Sequence, residues 1–223
     1  METDKSRTFL SRIDKLREQM KKFNTVIFDL DGVLIDSKEN MRVAWEQVRK
    51  KLNVKQKFNN YFKNIGLPFD KILKNIGIKK NTYKITKLYK NQSIINLYKL
   101  KLMPGVIQTI KKLNKKNVKI AIVTSKDIKR TKLIVKKLKI PIKVLISPRK
   151  NLRGKPYPDQ LNLAIKNLKS DKKKACYIGD MNVDYIAAKN SKISFVFAKY
   201  GYQKLKKKYK IVIKKPKEIL KFI

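Results

Sequence analysis

The chain has 223 residues, 42% of them hydrophobic, and sets 58 Lys and Arg against 16 Asp and Glu for a formal net charge of +42. That is apolar material for one sizeable domain, or a domain with an insertion, and it excludes a disordered polybasic tail. One cysteine, Cys176, and no histidine exclude internal disulfides, multi-cysteine zinc sites, His-ligated metals and any catalytic triad built on histidine.

In chain order, Phe9, Ile13, Leu16, Met20 and Phe23 recur at helical spacing and predict an amphipathic helix over residues 1–24, packed on the body or on a second subunit. This charged segment lacks the apolar stretch of a signal peptide, and no run approaches the roughly 20 apolar residues of a membrane span. The cytoplasm is therefore the expected location, and the oligomeric expectation is a monomer or homodimer. Thr25-Val26-Ile27-Phe28 reads as a buried parallel strand that ends in Asp29-Leu30-Asp31-Gly32. Residues 38–102 show helical patterning without strand signals, with Val43, Ala44, Val48 and Leu52 on one face and Ile72, Leu73 and Ile76 on another. Gly66-Leu67-Pro68 interrupts this block and Met103-Pro104-Gly105 closes it.

From Val106 the pattern alternates. Strands are expected at 118–123, 142–146, 175–179, 194–198 and 211–213, and helices at 106–113, 128–138, 158–168 and near 183–189, with a helical turn at the end. Such alternation predicts an α/β, Rossmann-like parallel sheet flanked by helices. The core is expected over 25–37 and 103–223, with 38–102 as an inserted helical cap.

The charge invites a nucleic-acid reading, but the cations divide into 50 Lys and only 8 Arg and run through nearly every segment. Ile (27) and Asn (17) are abundant while Ala and Gly stand at 7 each, a drift of the whole chain. The lysines read as a solvated surface rather than a nucleic-acid groove.

Sites in open α/β sheets lie at the carboxyl ends of strands. In a chain with only 16 acids, Asp29 and Asp31 follow one apolar strand and Asp180 and Asp184 another. Asp often caps such turns, yet two pairs at separate strand ends favour a hard divalent cation, Mg²⁺ first. Thr124 and Ser125 end a third strand, where hydroxyls either cap the next helix or hold phosphate oxygens. Lys155 stands between Gly154 and Pro156; among 50 lysines, spacing alone does not single it out.

Asp29-Leu30-Asp31-Gly32-Val33-Leu34-Ile35-Asp36-Ser37 resembles the first motif of the haloacid dehalogenase (HAD) superfamily. Ile122-Val123-Thr124-Ser125-Lys126 is similar to the second motif, and Lys155-Pro156-Tyr157-Pro158-Asp159 to the third. Ile178-Gly179-Asp180-Met181-Asn182-Val183-Asp184 with Ala187-Ala188 resembles the fourth, and the nearest branch is the phosphoglycolate phosphatase-like one with a helical cap. The resemblance implies a Mg²⁺-dependent phosphatase acting on a small phosphorylated metabolite. Asp29 would be the nucleophile and would form an aspartyl-phosphate, with Asp31 the general acid/base. Thr124, Ser125 and Lys155 would bind phosphate, and Asp29, Asp31 (through its carbonyl), Asp180 and Asp184 would surround the metal. A β-phosphoglucomutase-like phosphosugar mutase shares all four motifs and is the alternative enzyme. A basic binding protein with a vestigial site is the alternative outside catalysis.

Overall fold

A computed structural model describes residues 23–204 and 208–223. The amphipathic helix expected over residues 1–24 lies, but for Phe23 and Asn24, outside the described residues. Phe23 itself is buried, and its N–H donates to the Phe222 carbonyl at 2.6 Å, tying the start of the core to the end of the chain.

The elements run β1 (Thr25–Phe28), β2 (Ile35–Asp36), α1 (Lys38–Leu52), α2 (Phe58–Phe62), α3 (Phe69–Asn75), α4 (Thr82–Ile95), β3 (Lys101–Leu102) and α5 (Val106–Lys115). They continue as β4 (Lys119–Val123), α6 (Ile128–Lys137), β5 (Val144–Ile146), α7 (Asp159–Asn167), β6 (Ala175–Gly179), α8 (Asn182–Asn190), β7 (Ser194–Ala198) and β8 (Val212–Ile213). A 3₁₀ segment, Pro216–Phe222, closes the chain. The main sheet has the order β5-β4-β1-β6-β7-β8, and every pairing in it is parallel. β1, β4 and β6 are apolar and buried along almost their whole length, β1 and β4 largely through β-branched residues, as strands covered on both faces must be. Two apolar layers result. One packs α5, α6 and the C-terminal segment on the sheet through Phe28, Ile110, Leu113, Ile122 and Ile219; the other packs α7 and α8 through Ile27, Leu161, Tyr177 and Ala187.

Strand order decides where a site can form. β1 lies between β4 and β6, so the loops after these three strands open side by side at one edge of the sheet.

The parallel α/β sheet follows the alternation in the sequence, with local departures. The strand expected from Ile142 begins at Val144, because Pro141 carries no N–H and the Ile142 N–H turns back to the Ile140 carbonyl at 2.9 Å. β2 and β3 form a two-stranded antiparallel ribbon, Ile35 opposite Leu102 and Asp36 opposite Lys101, where no strand was expected. Two residues per strand leave no period to read.

Between the ribbon strands, α1 to α4 build a core of their own. The buried face of α1 runs through Met41, Ala44, Trp45 and Val48, spaced i, i+3, i+4, i+7, with Val43 and Leu52 only partly covered. This shifts the expected stripe toward Trp45, which stacks on Tyr61 at 4.8 Å between ring centres, while Tyr89 stacks on Phe69 at 4.6 Å. Among the described residues no helix is long and apolar enough to cross a membrane.

Candidate active site

Asp29 is the first residue beyond β1, and its N–H completes the ladder to the Ile178 carbonyl at 2.9 Å. The chain then turns at Gly32, which sits at φ +83°. A Cβ at Gly32 would collide with the Asp180 carboxylate, so the two loops meet only because this residue is glycine. Gly179 is required in the same way: a side chain there would strike Asp184. Asp180 is the first residue beyond β6, and Asp184 sits in the first turn of α8, where its Oδ2 accepts the Met181 N–H at 2.9 Å and caps the helix.

Four of the sequence-selected residues form one buried knot. The Lys155 Nζ donates to Asp29 Oδ1 at 2.9 Å, to Asp184 Oδ1 at 2.6 Å and to the Tyr177 hydroxyl at 3.0 Å. Carboxylate oxygens of Asp29, Asp180 and Asp184 all lie within 4.8 Å of one another. Burial pushes the Asp29 carboxyl up to about 7; the Lys155 ammonium opposes this and the Asp184 charge adds to it. Burial, reinforced by Asp184 and Asp29, also holds Asp180 well above the usual carboxylate range. Burial would lower the Lys155 ammonium, yet Asp184 and Asp29 outweigh it and keep it raised and charged.

Asp180 has two different oxygens. Oδ2 accepts the Tyr202 N–H at 2.6 Å, whereas Oδ1 is buried with no partner. An orphaned Asp180 oxygen close to two more carboxyl groups, in a cluster where burial disfavours the ionised forms of Asp29 and Asp180, fits a cation whose charge would let all three ionise. The donors are all oxygens, which suits a hard divalent ion.

Asp31 lies outside this knot. Ser37 Oγ donates to its Oδ1 at 2.5 Å and Lys126 Nζ reaches its Oδ2 at 3.2 Å, so its carboxylate stands above the knot, facing the cavity. Thr124 and Ser125 follow β4 and line the same cavity. The Thr124 Oγ1 accepts the Lys126 N–H at 3.2 Å, and the Ser125 hydroxyl donates to the Gly66 carbonyl of the helical block at 2.6 Å. Asp29, Asp31, Thr124, Ser125 and Lys155 therefore share one cavity wall, with Asp180 and Asp184 behind it. The helical block supplies the opposite wall, including Met41, Tyr61, Ile65, Leu67 and Tyr89.

Sequence reasoning missed four contributors. Tyr177 donates from β6 to Asp184 Oδ1 at 3.0 Å, and its body reads as ordinary strand core. Tyr202 accepts the Ser37 N–H at 2.6 Å and bonds Asp36, locking the ribbon to the Asp180 loop. Lys126 and Arg130 are buried basic residues on the cavity wall. Arginine is scarce, 8 against 50 lysines, but that scarcity does not single out Arg130 among the eight.

With this geometry in place, the comparisons with known proteins agree. The sequence profile of a family described as haloacid dehalogenase-like hydrolase matches residues 26–198. A phosphoglycolate phosphatase of Aquifex aeolicus is 25% identical over 203 residues, covering 89% of this chain and 95% of that protein. Two crystal structures share the fold. A hydrolase from Pseudomonas syringae superposes with a TM-score of 0.78 at 24% identity, over 88% of this chain and 95% of its own. CbbY from Rhodobacter sphaeroides in complex with phosphate gives a TM-score of 0.75 at 15% identity, over 88% and 96%.

Proposed function

The chain belongs to the haloacid dehalogenase-like hydrolases, and on that premise we propose that it is a phosphatase that hydrolyses a small phosphorylated metabolite through an aspartyl-phosphate on Asp29, with Mg²⁺ as cofactor. The observation that carries this reading is the buried knot at the carboxyl ends of β1 and β6, where Lys155 bridges Asp29 and Asp184 beside the orphaned oxygen of Asp180.

Asp29 is the nucleophile. It sits on the cavity wall, and its Oδ1 is fixed by Lys155, which prevents the carboxylate from rotating away. Its attack forms a bond to phosphorus while the bond to the leaving oxygen breaks. Asp31, two residues on and reaching the same cavity, protonates that oxygen and then takes a proton from the water that hydrolyses the aspartyl-phosphate. Thr124, Ser125 and Lys155 bind the phosphoryl oxygens, Ser125 and Lys155 by redirecting donors that otherwise go to Gly66 and to Asp29, Asp184 and Tyr177. Asp29, Asp180 and Asp184, with the Asp31 carbonyl, would hold the Mg²⁺, which when bound supplies positive charge against carboxylate–phosphate repulsion. The block 38–102 acts as the cap that closes the site from water.

The reading is tested by phosphate release from a panel of phosphorylated metabolites, with Mg²⁺ and with chelator. Release that chelator abolishes is the expected result; isomerisation of a sugar phosphate without release would instead favour the mutase.

A separate prediction concerns the cation. Millimolar Mg²⁺ should raise the melting temperature of the wild type, since a ligand bound only by the folded state stabilises it. Asp180→Asn should lose that rise while folding normally in chelator, because the amide oxygen keeps the bond to the Tyr202 N–H and replaces a carboxyl whose charged form burial already disfavours. A full Mg²⁺ response in the variant would place the cation elsewhere.

A further inference from the structure

The cavity above Asp29 measures about 50 Å³, a few water molecules' worth, which suits a phosphate with a short organic tail. Three cations line it: Lys155, Lys126 and Arg130. Lys155 is committed to Asp29 and Asp184, and Lys126 to Asp31 at 3.2 Å. Arg130 is placed differently. It sits in the first turn of α6 and is 5% exposed, and its Nε donates to Asp127 Oδ2 at 2.6 Å. Its guanidinium carbon lies 5.5 Å from the centre of the Tyr89 ring, so the group is held from two sides. The Nη1 is buried without a hydrogen-bond partner.

A guanidinium does not shed its charge, so it cannot escape burial by deprotonating as a lysine does. Buried polar groups are almost always partnered. A fixed, charged guanidinium that lines a reaction cavity and keeps a buried N–H unpartnered therefore points to a ligand atom that the chain itself does not supply. The Tyr89 hydroxyl, bonded to Tyr61 at 2.7 Å, also interacts with the guanidinium, yet Nη1 is left without a partner. An anionic oxygen is the partner that this N–H binds most strongly.

We infer that Arg130 is a specificity-determining residue whose Nη1 receives a second anionic group, carboxylate or phosphate, on the same molecule whose phosphoryl group reacts at Asp29. This rests on the phosphatase reading for the reacting group and adds to it the residue that selects the substrate's other end. Esters that end in a neutral group leave the buried guanidinium unpaired and are rejected for that reason.

The test compares phosphoglycolate with 2-hydroxyethyl phosphate, which match in length but differ by a carboxylate against a hydroxymethyl group, and with ethylene glycol bisphosphate. kcat/KM and, in chelator, equilibrium binding are measured for the wild type, Arg130→Gln and Arg130→Lys. The wild type should prefer an anionic-tailed ester over the neutral one by roughly 100-fold. Arg130→Gln should bring that ratio to about one, and Arg130→Lys, which keeps the charge without the fork, should retain about tenfold. The better of the two anionic esters identifies the anion. A residue that merely staples α6 would alter stability and all three esters together, leaving the ratio unchanged. A wild-type ratio near one, or a ratio that survives Arg130→Gln, overturns the assignment. Preference in binding without phosphate release from any ester would remove the phosphatase reading and leave the Arg130 subsite standing; release without preference would do the reverse.

Discussion

Asp29→Asn is expected to lower phosphate release by roughly 10⁴-fold or more, the scale on which removal of a catalytic nucleophile acts, while the protein stays folded. An amide cannot form the acyl-phosphate, but it has the volume of the carboxylate and its carbonyl can still accept from Lys155, which donates to Asp29 Oδ1 at 2.9 Å. Stability should move in the opposite direction from activity. Burial holds the Asp29 carboxyl at about 7 in the folded chain, against an ordinary value of 3.8. Between these values the native state keeps a proton that the unfolded chain has released, so this group's contribution falls as pH rises through that window and is lowest above it. In chelator at pH 8 the asparagine variant should therefore melt no lower than the wild type, and its stability should decline less between pH 5 and 8. Calorimetry across that range, beside the activity assay, checks both halves. A variant that turns over at the full rate would sink the nucleophile assignment, and a variant that fails to fold would show Asp29 to be structural.

The parts of this molecule that the sequence made legible are those where a residue type is scarce or a pattern is long. Sixteen acids in 223 residues made the pairs Asp29/Asp31 and Asp180/Asp184 conspicuous, and both stand where the central strands end. β1, β4 and β6 were readable because strands buried on both faces are apolar runs bounded by polar turns. Basic residues were the reverse case. Against a background of 58 cations, neither Lys126 nor Arg130 could be distinguished from the solvated surface, although both are buried; Lys155 was distinguished only by the motif it resembles. Tyr202 acts on Ser37 from 165 positions away, a relation that no local period encodes. The cavity's upper wall was invisible for a related reason. Helical spacing reports which side chains are apolar, and Tyr61 and Tyr89 serve both as core of the helical block and as wall of the cavity.

Lys155→Met should be the most destabilising single substitution at the site. The methionine fills much of the lysine's space but removes the one ammonium bonded within a group of three buried carboxylates, Asp29, Asp180 and Asp184. Removing one partner of a buried ion pair costs about 3–5 kcal/mol, because the charges left behind remain desolvated. For a protein of this size each kcal/mol is worth roughly 2–4 °C in melting temperature, so in chelator the loss should exceed about 6 °C on the same scale. The cause can be separated from lost packing in two ways. Adding Asp184→Asn to the variant removes one of the stranded charges, and the double variant should recover part of the loss, a coupling that a cavity would not produce. Mg²⁺ should also stabilise Lys155→Met by more than it stabilises the wild type, since the cation then supplies the only positive charge next to these carboxylates. Turnover stays low in all of these variants, because the group that orients Asp29 has gone. Equal Mg²⁺ responses together with strictly additive losses would mean that Lys155 acts through its aliphatic stem, and the electrostatic account of the knot would have to be abandoned.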